Sequence, residues 1–123
     1  MKAFIQGRIN SFRPAFAGMA HVLRTQPNAW LHGIISLAAI AVGLWLGLDA
    51  GSWASIVVMM AVVWVAEFFN TAIEAVVDLA SPQIHPLAKI AKDVSAGAVV
   101  ICAVAAVVVG LLVLGPPLWE RLF

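Results

Sequence analysis

Three carboxylates lie where a chain of this kind should carry none. The stretch AEFFNTAIEAVVD, residues 66–78, continues an apolar run of about a dozen residues, yet holds Glu67, Asn70, Glu74 and Asp78. On a helix turning ~100° per residue, Glu67, Glu74 and Asp78 fall within ~40° of one another, with Asn70 and Thr71 flanking them. They are half of the six acidic residues in the chain. Acids in hydrocarbon are costly to bury and mark a functional site by default.

Three kinds of chemistry suit such a face. The acids could pair with Lys89, Lys92 or an N-terminal arginine and hold helices together, although buried pairs often cost as much as they return. They could conduct ions or protons. They could also serve metal-dependent chemistry on a lipid headgroup. Oxygen ligands at i and i+7, with an asparagine, suit a hard ion such as Mg²⁺, which shares its shell with phosphates. An acid just below the interface can act as base toward a lipid hydroxyl.

The elements that must position these residues follow from composition. The 123 residues are 63% hydrophobic and 11% charged, with mean hydropathy +1.03. A soluble domain has about a quarter of its residues charged. The chain therefore reads as one integral-membrane domain, residues 1–123, of all-α class. Residues 2–25 place Phe4, Ile5, Ile9, Phe12, Phe16, Met19 and Val22 between Lys2, Arg8, Arg13 and Arg24. That is the pattern of an amphipathic helix on the membrane surface, bent near Pro14. Three spans are expected at about 29–48, 53–77 and 94–114. Pro82 and Pro86 separate the last two, and Pro116 and Pro117 end the third. Gly43, Gly47 and Gly51 recur every four residues, which fits either a close helix contact or a helix end.

Six of the seven basic residues fall in the N-terminal segment and the 79–93 loop. The positive-inside rule then puts the N-terminus in the cytoplasm and the C-terminus outside. The acidic face emerges on the cytoplasmic side, where ATP is found, with Glu67 about 7–8 Å inside the boundary. Trp30, Trp119 and Arg121 read as interfacial anchors.

Other chemistries are excluded. A net charge of +1 implies no nucleic-acid partner. The single Cys102 permits neither an internal disulfide nor a cysteine metal cage. His21, His32 and His85 are scattered and read as interfacial or loop side chains. No GxxxxGK[ST], GxGxxG, HExxH or GxSxG motif occurs. The N-terminus lacks the apolar core and cleavage site of a signal peptide.

The segments AEFFNTAIEAVVD and HPLAKIAKDVSAGAVV together resemble the signature of the bacterial integral-membrane lipid kinases, the diacylglycerol kinase and undecaprenol kinase family. The ExxNxAIExxVD and AKDxxAGAV motifs stand in order, and the likeness covers most of the chain. The resemblance implies three transmembrane helices plus a surface helix, a homotrimer in the bacterial inner membrane, and active sites at subunit boundaries. It implies Mg²⁺-dependent transfer of the ATP γ-phosphate to a lipid hydroxyl. Glu67 resembles the catalytic base, Asn70 its polar partner, and Glu74 a metal ligand. Lys92 and Asp93 resemble a nucleotide-contacting pair.

The chain departs from the family pattern at two positions. Gln26 stands where a metal-holding glutamate is common, and is carried over as a nucleotide or metal contact through its neutral oxygen. Trp30 stands where an arginine is common. Both motivate a nucleotide-binding protein without turnover as one alternative, beside a non-enzymatic oligomer that conducts ions or binds lipid. Ala96, where the glycerolipid branch tends to have serine, favours undecaprenol over diacylglycerol. Arg8 and Arg13 are candidates for phosphate.

Overall fold

The structure is a computed structural model of the 123-residue chain. It describes residues 1–83 and 85–123, without the side chains of residues 2–6 and 8. The expected contributions of Lys2, Phe4, Ile5 and Arg8 thus lie outside the described residues.

Four helices follow one another: α1 Lys2–Thr25, α2 Pro27–Leu46, α3 Ala50–Ala80 and α4 Pro86–Leu122. The last three are each long and apolar enough to cross a membrane. The all-helical architecture with three such helices is as expected.

Local chemistry sets the boundaries. Gln26 is the single extended residue between α1 and α2. Pro27 follows at the first position of α2, where its missing N–H costs nothing. Gly47 ends α2 with φ 67, in the left-handed region that only glycine adopts freely. Asp49 then caps α3, accepting from the Gly51 and Ser52 amides. The glycine repeat is resolved by this turn. A Cβ on Gly43 would meet the Trp53 ring at 3.0 Å and Leu48 at 3.1 Å, so Gly43 allows close packing and Gly47 turns the chain.

The expected boundaries of α3 and α4 move. α3 has 31 residues, about 46 Å of helix against ~30 Å of hydrocarbon, so it overruns its expected limits at both ends. Pro116 and Pro117 do not end the last helix, which runs on to Leu122. Gly115, before Pro116, has no Cβ to clash with the proline ring, which removes part of the usual penalty. Pro14 likewise sits inside α1 without ending it.

α3 and α4 form the dominant contact, and α2 packs on both. Ala29 is fully buried, and Gly33 lies 3.9 Å from Trp64 at the position of its absent Cβ. Small residues on this face bring α2 close to α3. The Trp64 indole donates to Ser36 Oγ at 3.4 Å and fixes the register. At the far end the Arg121 guanidinium lies 5.5 Å from the centre of the Trp45 ring, tying α4 to α2.

Candidate functional site

The interior is polar where a soluble core would be apolar. Glu67, Asn70, Thr71 and Ser95 are buried together with Val22, Ala29, Ile56, Val63 and Val99. Asn70 and Ser95 meet between α3 and α4, Glu67 faces His32 of α2, and Thr71 borders the groove against α1.

Glu67 is 1% exposed, the most enclosed large side chain described. Among the described residues neither carboxylate oxygen has a hydrogen-bond partner. Its nearest ionisable neighbour is His32 on α2, with Nε2 3.8 Å from Oε2. The Glu67 carbonyl accepts from Thr71 Oγ1 at 3.0 Å. The backbone here is satisfied while the carboxylate is left open. A buried acid without donors is unfavourable for folding, so its retention points to chemistry.

One turn along α3, Asn70 bridges two partners. Its Oδ1 accepts from Ser95 Oγ at 2.7 Å, and its Nδ2 donates to Glu74 Oε1 at 3.2 Å. A carboxylate only accepts, so the amide nitrogen must face Glu74 and the oxygen Ser95. Ser95 Oγ also lies 2.9 Å from the Lys92 carbonyl. Asn70 thereby locks α3 to α4 and orients the half-buried Glu74.

Beyond Glu74 the stripe reaches solvent. The Lys92 ammonium donates to Asp78 Oδ1 at 2.6 Å, so Asp78 is the helix-end partner of Lys92. Asp93 pairs with Lys89 on its own helix. Gln26 sits half-buried at the α1–α2 break, without a hydrogen bond to Glu67, Asn70 or Glu74 among the described residues.

Glu67, Asn70 and Glu74 thus share one face. From Glu67 to Asp78, where Lys92 is held, is about 16 Å along the helix. Sequence reasoning missed two members. Ser95 could have been found as the one hydroxyl in the first turns of the last apolar run. His32 could have been found by its spacing: it lies three residues after Ala29 and four before Ser36, on the face of α2 that meets α3.

Two grooves adjoin the site. One, of about 360 Å³, lies between α1 and α3 and is lined by Gly18, Met19, His21, Val22, Phe68 and Thr71 among others. The other, of about 490 Å³, runs between α2, α3 and α4 from His32 and Ser36 toward Leu118. Its walls are almost wholly apolar.

Among the described residues no three His, Cys, Asp or Glu side chains converge as a metal cluster. The donor set still suits Mg²⁺, which needs only one or two protein carboxylates when phosphates supply the other oxygens. Glu74, oriented by Asn70 at the open end of the stripe, fits that role.

The family model for prokaryotic diacylglycerol kinase matches residues 13–114. The chain is 45% identical over 109 residues to a diacylglycerol kinase of Synechocystis sp., covering 88% of this chain and 62% of the relative. It is 38% identical over 108 residues to the undecaprenol kinase of Bacillus subtilis, covering 88% of each. Against the diacylglycerol kinase of Escherichia coli K12 identity is 36% over 76 residues, 62% of each chain.

Proposed function

We propose a reaction for this chain from one premise: it belongs to the prokaryotic diacylglycerol kinase family. The reaction is transfer of the ATP γ-phosphate to the hydroxyl of a membrane lipid. The observation that carries it is the Glu67 carboxylate, buried with both oxygens open, one turn from the Asn70–Glu74 pair.

The residues divide the work by depth. Glu67 takes the proton as the lipid O–H bond breaks. The freed electron pair forms the new O–P bond, and the β,γ bridge leaves with ADP. Burial of Glu67 excludes water that would compete as acceptor for the phosphoryl group. Asn70 holds Glu74, and Glu74 with Gln26 would hold Mg²⁺, which would neutralise phosphate charge. Lys92 and Asp93 take the nucleotide. The Lys92–Asp78 pair is solvent-facing and contributes little to stability, so phosphates can displace Asp78 at small cost. Positioning and charge compensation are what phosphoryl transfer chiefly requires.

The lipid is a polyprenyl alcohol such as undecaprenol, with diacylglycerol the second choice. Similarity to the undecaprenol kinase along 88% of both chains supports this order, as does Ala96 in the third span. The 45% identity to a diacylglycerol kinase keeps the second choice open. The protein sits in the bacterial inner membrane, N-terminus inside, with α1 on the cytoplasmic surface and Arg13 near phosphate.

Purified protein supplied with labelled ATP, Mg²⁺ and either undecaprenol or diacylglycerol tests this. Labelled lipid is expected, faster with undecaprenol, and lost in Glu67→Gln. Transfer to neither lipid overturns the kinase reading. ATP with Mg²⁺ should also raise thermal stability, a response that an ion-conducting or lipid-binding oligomer has no reason to show.

The assembly is a homotrimer with sites shared between copies. The separation of Lys92 from Glu67 along one chain supports sharing. Mixing the inactive Glu67→Gln and Lys92→Met variants should restore part of the activity; complete absence of rescue would place each site within one protomer.

A further inference from the structure

We infer that His32 is a positioning residue for Glu67: the α2 imidazole and the α3 carboxylate act as one couple that holds the reacting oxygen. The inference rests on Glu67 as base in the reaction proposed above.

Among the described residues the geometry leaves Glu67 one partner. His32 Nε2 is 3.8 Å from Glu67 Oε2, with the side chains 13% and 1% exposed. That separation is beyond a hydrogen bond but within ion-pair reach, so contact needs closure of about 1 Å. The gap is too short for a bridging water. The other ionisable groups near this end are engaged or distant. On α3, Glu74 accepts from Asn70, and Asp78 holds Lys92. On α4, Asp93 is paired with Lys89. On α1, His21 is exposed and lines the groove against Phe68 and Thr71. Gln26, between α1 and α2, is neutral. A buried carboxylate without donors is strongly unfavourable unless a cation or donor is at hand, and His32 is the described side chain in place to be one.

His32 has a second position that a structural partner would not need. It lines the mouth of the apolar groove between α2, α3 and α4. A lipid whose chain follows that groove presents its hydroxyl to Glu67 past the imidazole. His32 keeps its own proton through the reaction. Its Nε2–H directs one Glu67 oxygen, and leaves the other to take the lipid proton.

Three variants and one spectroscopic readout test this in the intact protein. His32→Phe keeps a ring without a donor. It should lower kcat by about 10²-fold, the cost of misplacing a reacting group by about 1 Å, with KM for ATP unchanged. His32→Gln restores an N–H within reach and should recover much of the loss. In a Glu67→Gln background His32→Phe should change the residual rate by less than about twofold, since groups that act as a unit are not additive. Independently of turnover, the ¹⁵N shifts of the His32 ring should move on Glu67→Gln. Unmoved ring shifts overturn the inference while leaving the kinase reading intact. Equal losses in His32→Phe and His32→Gln, persisting in the Glu67→Gln background, overturn it too. An inactive wild type with responsive ring shifts instead breaks the kinase reading and leaves the couple standing.

Discussion

Two carboxylates of the same helix, one capping its start and one within it, are treated in opposite ways. Asp49 stands in the open at the start of α3. Its Oδ1 accepts from the Gly51 amide at 2.8 Å and the Ser52 amide at 3.1 Å, and its Oδ2 from the Ser52 hydroxyl at 2.5 Å. Glu67 lies further along α3, buried, with neither oxygen hydrogen-bonded among the described residues. Water could serve the first and is not needed; the second is denied water and has only the His32 imidazole at 3.8 Å. Where a carboxylate has only to start a helix, the chain supplies its donors within three residues. Where the donors are withheld inside a membrane-embedded bundle, the free lone pairs are what the site offers to a ligand.

The largest break in that contrast is Glu67→Leu. It should abolish lipid phosphorylation, a loss of about 10²–10⁴-fold for a general base. It should also raise stability in detergent, because an apolar side chain replaces a buried carboxylate that no described residue hydrogen-bonds. Activity and thermal unfolding measured on the same preparation check both. A fall in stability would show that Glu67 is a structural partner like Asp49, and the contrast would dissolve.

The residues of the site also differed in how far the sequence could be read. The polar face of residues 66–78 was legible because acids are rare in apolar runs, while its partition into roles by depth was implied by the family resemblance. For Asp78 the sequence left Lys89 and Lys92 both open as partners, and the fold pairs it with Lys92. His32 and Ser95 were not. Each is a single polar residue in an apolar run, and only the packing of α2 and α4 on α3 shows that both face inward. The last helix was misjudged for a local reason. Two prolines normally stop a helix, but Gly115 removes the Cβ clash at the first of them, and α4 continues to Leu122.

Ser95→Ala gives a middle-sized test. It removes the hydroxyl that faces Asn70 Oδ1 in a buried position, and leaves that oxygen unpaired. The cost in stability is about 1–3 kcal/mol. Asn70 is then free to turn, and Glu74 loses its fixed orientation. The apparent affinity for Mg²⁺ should fall about tenfold or more, as for other groups that orient a metal ligand. Titration of activity against Mg²⁺ checks this. A drop in stability at unchanged Mg²⁺ dependence would make Ser95 a helix clasp alone.

The smallest effect belongs to Asp49, and its sign follows from its hydrogen bonds. The Ser52 hydroxyl, then the Ser52 and Gly51 amides, hold the carboxyl below its ordinary value of 3.8. A group depressed in the folded state adds stability that is complete above its unfolded value and fades as pH falls through the folded one. Asp49→Ala should therefore lower the melting temperature by only a few degrees near neutral pH, as for the loss of an exposed N-cap. The gap between wild type and Asp49→Ala should then close below about pH 4, while lipid phosphorylation at neutral pH stays unchanged. Thermal unfolding of the two proteins between pH 3 and pH 7, about the working range for a carboxylate cap, measures the closure. A gap independent of pH would mean that the Asp49 charge contributes nothing and that its geometry alone starts α3. The Asp49 cap would then have to be read as an alignment of backbone and hydroxyl donors around any acceptor, and its contrast with Glu67 would rest on burial alone.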